Sequence, residues 1–488
     1  DGAQMHEADR EREGHHDEEN GAGRVPRARC SPPPRGVSRG GGYGRQTFAL
    51  VLLACLTGTA RAARPNVVVY VIDTLRADHL GCYGYTHPTS PRIDAFARSA
   101  VRFGHAVAQS SWTLPSIASI LTGMTPPLHG AVSPENAIAR EVPTLAQILR
   151  AQGYTTVAFV TNYLGSGVFG LDRGFATYRF YRERGDRRSA VYLGSEALVR
   201  RVVHWLQHAS GGPFLLYVHA TDPHFPYVPP RRYAVDFLSP AMMRLLPDAI
   251  ATARPLHNGN QEWGTRPAPL TEREVDVLRD AYDGDIRMAD ESFGRLLDAV
   301  AAHGMLDDTI VVLTSDHGEE FLEHGGVAHG QTLYAETLDV PLLVRLPKAR
   351  DGGTVVDALA RQVDILPTIL DVAGVPAPPG LSGSSLFRPR VGAVEAHASL
   401  RLAGRAIDAL VGDGWKVVRD EDRPPEARFE VYRTDGDPGE HADRSATEGD
   451  LLGHARTRLE ELATPRLPGP RVPEERLERV RSLGYVDE

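Results

Sequence analysis

Cysteine is nearly absent, with three residues in 488, Cys30, Cys55 and Cys82. That count and spacing exclude a disulfide framework and a cysteine-built metal site. A basic excess is also lacking. The formal net charge of −9 leaves nothing to neutralise a phosphate backbone, so no nucleic acid is expected as a partner. Short clusters such as Arg231-Arg232 do not change this. No transmembrane helix is expected, because the apolar run Phe48 to Cys55 is too short to span a bilayer. No internal repeat occurs. What is present is 42% apolar and 24% charged residues, a globular composition with ample core for one large domain and a smaller one.

Residues 1 to about 45 are rich in charge, glycine and proline, without apolar periodicity, and disorder is expected there. Arg45, the short apolar run and then small residues follow the order of a secretory signal. Residues 1–63 are therefore read as a disordered and targeting segment, with a signal-like stretch at 45–62. The protein is expected to be exported, whether periplasmic, secreted or lipid-anchored. Leu52-Leu53-Ala54-Cys55 looks like a lipoprotein box, with a lipid anchor at Cys55, whereas Ala60-Arg61-Ala62 looks like an ordinary cleavage site. Cys82 would then stand alone, a small semi-buried residue beside a glycine turn.

The folded part opens at Arg64-Pro65-Asn66. Val67 to Ile72 is an unbroken β-branched and aromatic run, as in a strand buried on both faces, and it ends at Asp73. Helices are expected over Leu114–Leu121, Thr144–Gln152, Ala197–Gln207, Thr271–Ala302 and Val363–Val372. Strands are expected over Thr155–Val160, Phe214–Val218, Thr309–Thr314 and Val340–Leu346. Thr271 and Glu274 fit a capping box. Residues 226–270, rich in proline, arginine and small residues, read as a long surface insertion. This alternation predicts an α/β fold: a doubly wound, mostly parallel sheet with helices on both faces. After the Pro/Gly-rich stretch Pro376–Gly383, short strands (Ala406–Val411, Trp415–Val418) and a helix near Leu451–Leu462 predict a smaller C-terminal α+β subdomain over 384–488.

The chemistry gathers at strand and helix ends. Asp73 and Asp316 are hard oxygen donors, His317 adds a nitrogen, and Thr113 supplies a hydroxyl at the start of a helix. Each alone is an ordinary cap or turn residue. A doubly wound sheet brings such positions to one edge. Together they can hold one divalent metal ion (Mn, Ca, Mg or Zn) against an attacking alcohol. Asp283, Asp285 and Asp290, which recur on the long helix, read as its solvated and capping face.

Several spaced motifs resemble the sulfatase family within the alkaline phosphatase superfamily. These are Pro65-Asn66-Val67 with Asp73 to Gly81, Thr113 to Gly123, Ser315-Asp316-His317-Gly318-Glu319, Val340-Pro341-Leu342 and Asp437-Pro438-Gly439-Glu440. The resemblance spans 64 to 488, and it implies an alkaline phosphatase-like catalytic domain over 64–383. It also implies that His224 touches the anionic group or protonates the leaving oxygen, and that His329 and Asn162 lie where the family places substrate lysines; such side chains could donate to the ester's oxygens or supply the proton. His219 and His324 are nearby in sequence and could act similarly, although a lone histidine is more commonly a core or surface residue. A second metal would take Asp222, His224 and His329.

Departures from the family pattern narrow the chemistry. Where sulfatases carry the Cys or Ser that becomes formylglycine, followed by Pro-Ser-Arg, this chain reads Thr113-Leu114-Pro115-Ser116-Ile117. Threonine is not converted. A threonine alkoxide at phosphorus gives an intermediate that water can hydrolyse, whereas the elimination route for sulfate is lost. The expected activity is metal-dependent cleavage of a small anionic ester through Thr113, phosphate over sulfate. An arylsulfatase-like sulfuric ester hydrolase, a phospho-headgroup transferase and a catalytically dead sulfatase-like binding protein are the alternatives.

Overall fold

The computed structural model describes residues 64–181, 193–209, 211–257, 270–390, 392–462, 467 and 469–481. The signal-like stretch, Cys30 and Cys55 lie outside the described residues. The described residues all belong to one compact unit.

Eight strands form the central sheet: β1 (Asn66–Ile72), β2 (Val101–Phe103), β3 (Thr155–Val160), β4 (Thr177–Phe180), β5 (Phe214–Ala220), β6 (Thr309–Ser315), β7 (Leu342–Arg345) and β8 (Val355–Val356). Their order is β8-β2-β7-β6-β1-β5-β3-β4. Strands β6, β1, β5, β3 and β4 are mutually parallel, and β7 is antiparallel to both its neighbours. The six buried residues of β1 alternate between two cores. Val67, Val69 and Val71 face one, and Val68, Tyr70 and Ile72 face the other. A sheet covered on both faces therefore needs the continuous apolar run seen in the sequence.

Helices α1 (Pro91–Ala97), α4 (Ser195–Leu206) and α6 (Glu272–Ala302) fill the second core. Helices α2 (Thr113–Thr122), α3 (Leu145–Ala151) and α7 (Ile365–Val372) fill the first. The boundaries follow capping chemistry. Thr144 and Thr271 each close a capping box, with Gln147 and Glu274 respectively. Gly123, at φ 67°, ends α2 in the left-handed region that favours glycine.

Two expectations need correction. The 226–270 insertion is not confined to the surface: it contains a short helix, Arg231–Ala234, and α5 (Pro240–His257), whose Ala249 and Ala253 are fully buried. Residues 258–269 lie outside the described residues. The three aspartates of α6 are buried, not solvated. Asp283 accepts from His79, His87 and Tyr85, at 2.7, 2.9 and 2.7 Å. Asp290 does cap a helix, but it is α1, through the N–H groups of Arg92 and Ile93 at 3.1 and 2.7 Å. Burial pushes Asp290 up to about 7. Helix amphipathicity misleads here because α6 lies between other elements, and its polar stripe meets chain ends that need acceptors.

At the C-terminus, β9 (Ala396–Leu402), β10 (Arg405–Gly412), β11 (Trp415–Asp420) and β12 (Phe429–Tyr432) form an antiparallel sheet in sequential order. Helix α8 (Gly449–Leu462) covers one face through Ala455 and Leu459, packed on Leu410, Val417 and Val431. The other face, with Ala398, Leu400 and Ala409, joins the first core of the large sheet.

Candidate functional site

Parallel strands β6, β1, β5 and β3 lie side by side, so their carboxyl ends open on one edge. Asp73 follows β1, Asp316 and His317 follow β6, His219 sits near the end of β5, and Asn162 lies just beyond β3. The register pairs Ile72 with Ser315 and His219 with both Val71 and Val160. Thr113 opens α2. All of these residues are buried.

Thr74, immediately after Asp73, has φ 58°, an unfavourable left-handed backbone for a β-branched residue. It is held there by three contacts. Its N–H donates to Asp316 Oδ1 at 3.2 Å, its carbonyl accepts from the Tyr282 hydroxyl at 2.7 Å, and the next N–H, of Leu75, donates to Ser315 Oγ at 2.8 Å. Gln362 Nε2 clamps the other strand end through the carbonyls of Ser315 and Asp316, at 2.9 and 2.6 Å. The two carboxylates are thus placed by backbone that is itself fixed.

Asn162 ties acid to hydroxyl. Its Nδ2 donates to Asp73 Oδ2 at 2.5 Å and to Thr113 Oγ1 at 3.3 Å, while its Oδ1 accepts from the Leu164 N–H at 2.9 Å. Thr113 Oγ1 also lies 3.3 Å from His317 Nε2. The Nδ1 of His317 donates to the Gly318 carbonyl at 2.9 Å, which leaves Nε2 as the basic atom of the neutral ring. That atom is 3.7 Å from Asp73 Oδ1 and 3.5 Å from Asp316 Oδ2. His219 Nε2 approaches the same pair, at 3.5 Å from Asp73 Oδ2 and 3.8 Å from Asp316 Oδ2.

These groups fit a cation. Asp73, His219 and Asp316 each offer one ligand atom, all within 4.8 Å of one another. Asp73 Oδ1, Asp316 Oδ2 and His219 Nε2 are buried without a hydrogen-bond partner among the described residues. Each such orphan costs roughly 1–3 kcal/mol, and a divalent ion would satisfy all three. Titration splits the acid pair. Burial raises Asp73, but the close approach of His219 Nε2 and the charges of His224, His219 and His317 outweigh it and hold Asp73 at about 2. Asp316 is raised, first by burial and then by the charge of Asp73. Burial lowers His219, yet the close approach and charge of Asp73 and the charge of Asp316 raise it overall.

His329 and His224 line the same region. The His329 ring lies 4.4 Å from that of His317 and 4.9 Å from that of His224. Its Nδ1 is 2.8 Å from Glu319 Oε1. His224 donates from Nδ1 to the Phe225 carbonyl at 2.6 Å. Thr113, Asn162, Asp73, Asp316, His317, His329 and His224 are therefore brought together.

Two residues are not. His324 is engaged at both ring nitrogens, by Glu336 Oε1 at 2.8 Å and by the Glu440 carbonyl at 3.1 Å, and it stacks on Tyr334. It has no polar atom left for substrate. Asp222 does not join His224 and His329: its Oδ2 accepts from the N–H and hydroxyl of Ser195 at the start of α4, at 2.5 and 2.6 Å. The second-metal set is thus not assembled among the described residues. Conversely, the sequence reading left His219 outside the metal set. Its signal was its place at the end of a buried strand, and that became decisive only once β5 was seen beside β1.

A family model described as Sulfatase matches residues 65–375. An N-acetylglucosamine-6-O-sulfatase of Bacteroides thetaiotaomicron is 25% identical over 409 residues, covering 69% of this chain and 73% of its own. A multifunctional alkaline phosphatase superfamily protein of Trinickia caryophylli is 26% identical over 397 residues, covering 66% and 76%. The crystal structure of a phosphonate monoester hydrolase of Agrobacterium radiobacter superposes with a TM-score of 0.66 at 20% identity, covering 81% of this chain and 95% of that one. With an alkaline phosphatase-like fold and a family match over most of its length, the chain belongs to the sulfatase family of ester hydrolases.

Proposed function

We propose that the protein is a metal-dependent hydrolase of phosphate or phosphonate esters that uses Thr113 as its nucleophile. The observation that carries this is the position of the Thr113 hydroxyl. It lies at the first turn of α2, 3.3 Å from both His317 Nε2 and Asn162 Nδ2, at the edge of the Asp73/Asp316 pair. A divalent cation held by Asp73 and Asp316 with histidine nitrogen supplies positive charge that favours an alkoxide and a developing anion. Asn162 orients the hydroxyl toward the ester. The N-terminus of α2 adds its dipole to the stabilisation of negative charge at Thr113. Attack at phosphorus forms a threonine phosphoester and releases the alcohol, and water then hydrolyses that ester. In their doubly protonated form, with Nδ1 already donating to Glu319 and to the Phe225 carbonyl respectively, His329 and His224 donate from Nε2 to the non-bridging and leaving oxygens. Export through the 45–62 stretch fits an ester taken from outside the cytoplasm.

Sulfate esters are the second reading, because relatives named as sulfatases match about two thirds of this chain. Turnover of p-nitrophenyl sulfate, phosphate and phenylphosphonate, with Mn, Ca, Mg and Zn added separately, decides between the two. Thr113→Ala should lower phosphoester turnover by about a thousandfold or more while leaving the fold intact. Undiminished turnover in that variant overturns the nucleophile assignment. Cleavage of sulfate alone overturns the phosphoester preference. Transfer of phosphoryl to an added alcohol instead of water identifies a transferase, and failure to bind any of the metals identifies a binding protein.

A further inference from the structure

Glu319 is wholly buried, next to the strand end that carries Asp316 and His317. Its backbone is pinned on both sides: the N–H groups of Gly318 and Glu319 donate to the carbonyls of Thr337 and Glu336, each at 2.9 Å. A Cβ at Gly318 would come within 2.0 Å of the Glu336 oxygen, so only glycine permits this approach. The short hairpin Glu320–Phe321/Val327–Ala328 pairs Glu320 with Ala328. One step beyond that pair, Glu319 faces His329, and Glu319 Oε1 meets His329 Nδ1 at 2.8 Å.

An imidazole rotates about two side-chain torsions, and a ring flip exchanges carbon for nitrogen at a given point. A carboxylate on Nδ1 removes that freedom and fixes the tautomer and the ring plane. We propose that Glu319 is the positioning residue for His329, holding the imidazole by Nδ1 so that it faces the ester beside His317 and His224. This rests on the reading of His329 as an ester-binding side chain. Glu319 itself touches no substrate; it acts through His329.

A double-mutant cycle tests the assignment, because a residue acting only through another has no effect once that other is gone. Glu319→Ala, His329→Ala and the double variant are compared with wild type. The readouts are turnover of the best p-nitrophenyl ester, with kcat and KM separated, and affinity for inorganic phosphate, with metal content measured alongside. Glu319→Ala should lower kcat by about 10–100-fold with metal content unchanged. Glu319→Gln, whose amide oxygen can accept from Nδ1–H, should recover most of the loss. In the His329→Ala background, Glu319→Ala should change neither turnover nor phosphate affinity. Where Glu319→Ala fails to fold, Glu319→Met, similar in volume but without an acceptor, takes its place in the cycle. Additive losses, or no rescue by glutamine, overturn the role of Glu319 while leaving His329 in place. Wild-type turnover and phosphate affinity in His329→Ala overturn the reading of His329 itself.

Discussion

Two buried carboxylates that face each other cannot both hold a full negative charge without compensation. The histidines around Asp73 hold it low, burial and the charge of Asp73 raise Asp316, and the two carboxylates raise His219. Cation binding should therefore compete with protons at these groups, and metal affinity should rise with pH. Calorimetry in buffers of differing ionisation enthalpy reads the protons released. His219→Gln should weaken metal binding by about 10–100-fold; unchanged affinity would place His219 outside the metal's reach. Asp73, Thr113, Asp316 and His317 could be singled out from the chain as candidates, because strand ends and a family motif mark them. His219 could not, because its place beside Asp73 and Asp316 is set by strand order. His324 misled because proximity in sequence did not foretell that Glu336 and Glu440 would take both its nitrogens.

At the scale of elements, helix ends were the most legible feature. The Thr271–Glu274 box was readable directly, and α6 begins there with both reciprocal contacts present. Thr271→Ala should cost about 1 kcal/mol, measured by denaturant unfolding. An undiminished midpoint would mean that the packing of α6 against its neighbours, rather than its cap, sets where the helix starts. The polar face of that same helix was not legible: periodicity reports which residues are polar but not whether solvent or another chain end will meet them. Asp283 and Asp290 meet loop and helix ends. Strand β7 shows the same limit, because its antiparallel direction follows from the route of the chain after His329 and not from its own composition.

Over the whole molecule, the C-terminal region is tied to the segment that runs on from His329. Lys416 and Glu440, each 2% exposed, pair at 2.9 Å, and Glu440 also accepts from the Ala335 N–H at 3.0 Å. Breaking a buried pair strands a charge and costs about 3–5 kcal/mol. Lys416→Met should destabilise by that order in chemical unfolding, and Lys416→Met with Glu440→Leu should recover part of it. An equal loss in both would mean that shape, not charge, holds this contact. The same region should respond to pH. Burial lowers His324, but its hydrogen bond and charge interaction with Glu336 raise it to about 9 from 6.5. A folded-state value above the unfolded one means that the stabilisation is full below about 6.5 and disappears as pH climbs through about 9. The difference in thermal midpoint between wild type and His324→Gln should shrink across that window; a constant difference would assign the effect to stacking on Tyr334.

By itself the sequence determined the alternation of strand and helix, the covered sheet, the helix caps, and the residue types able to hold a cation beside a hydroxyl. These depend on local periodicity, on short-range hydrogen bonds and on side-chain chemistry, all of which are written along the chain. Only the tertiary structure decided which strand ends are neighbours, which acids are buried, and which histidines reach the site. Those depend on contacts between residues such as Asp73, His219 and Asp316, separated by about a hundred positions or more, whose meeting is set by strand order and crossover rather than by any local pattern.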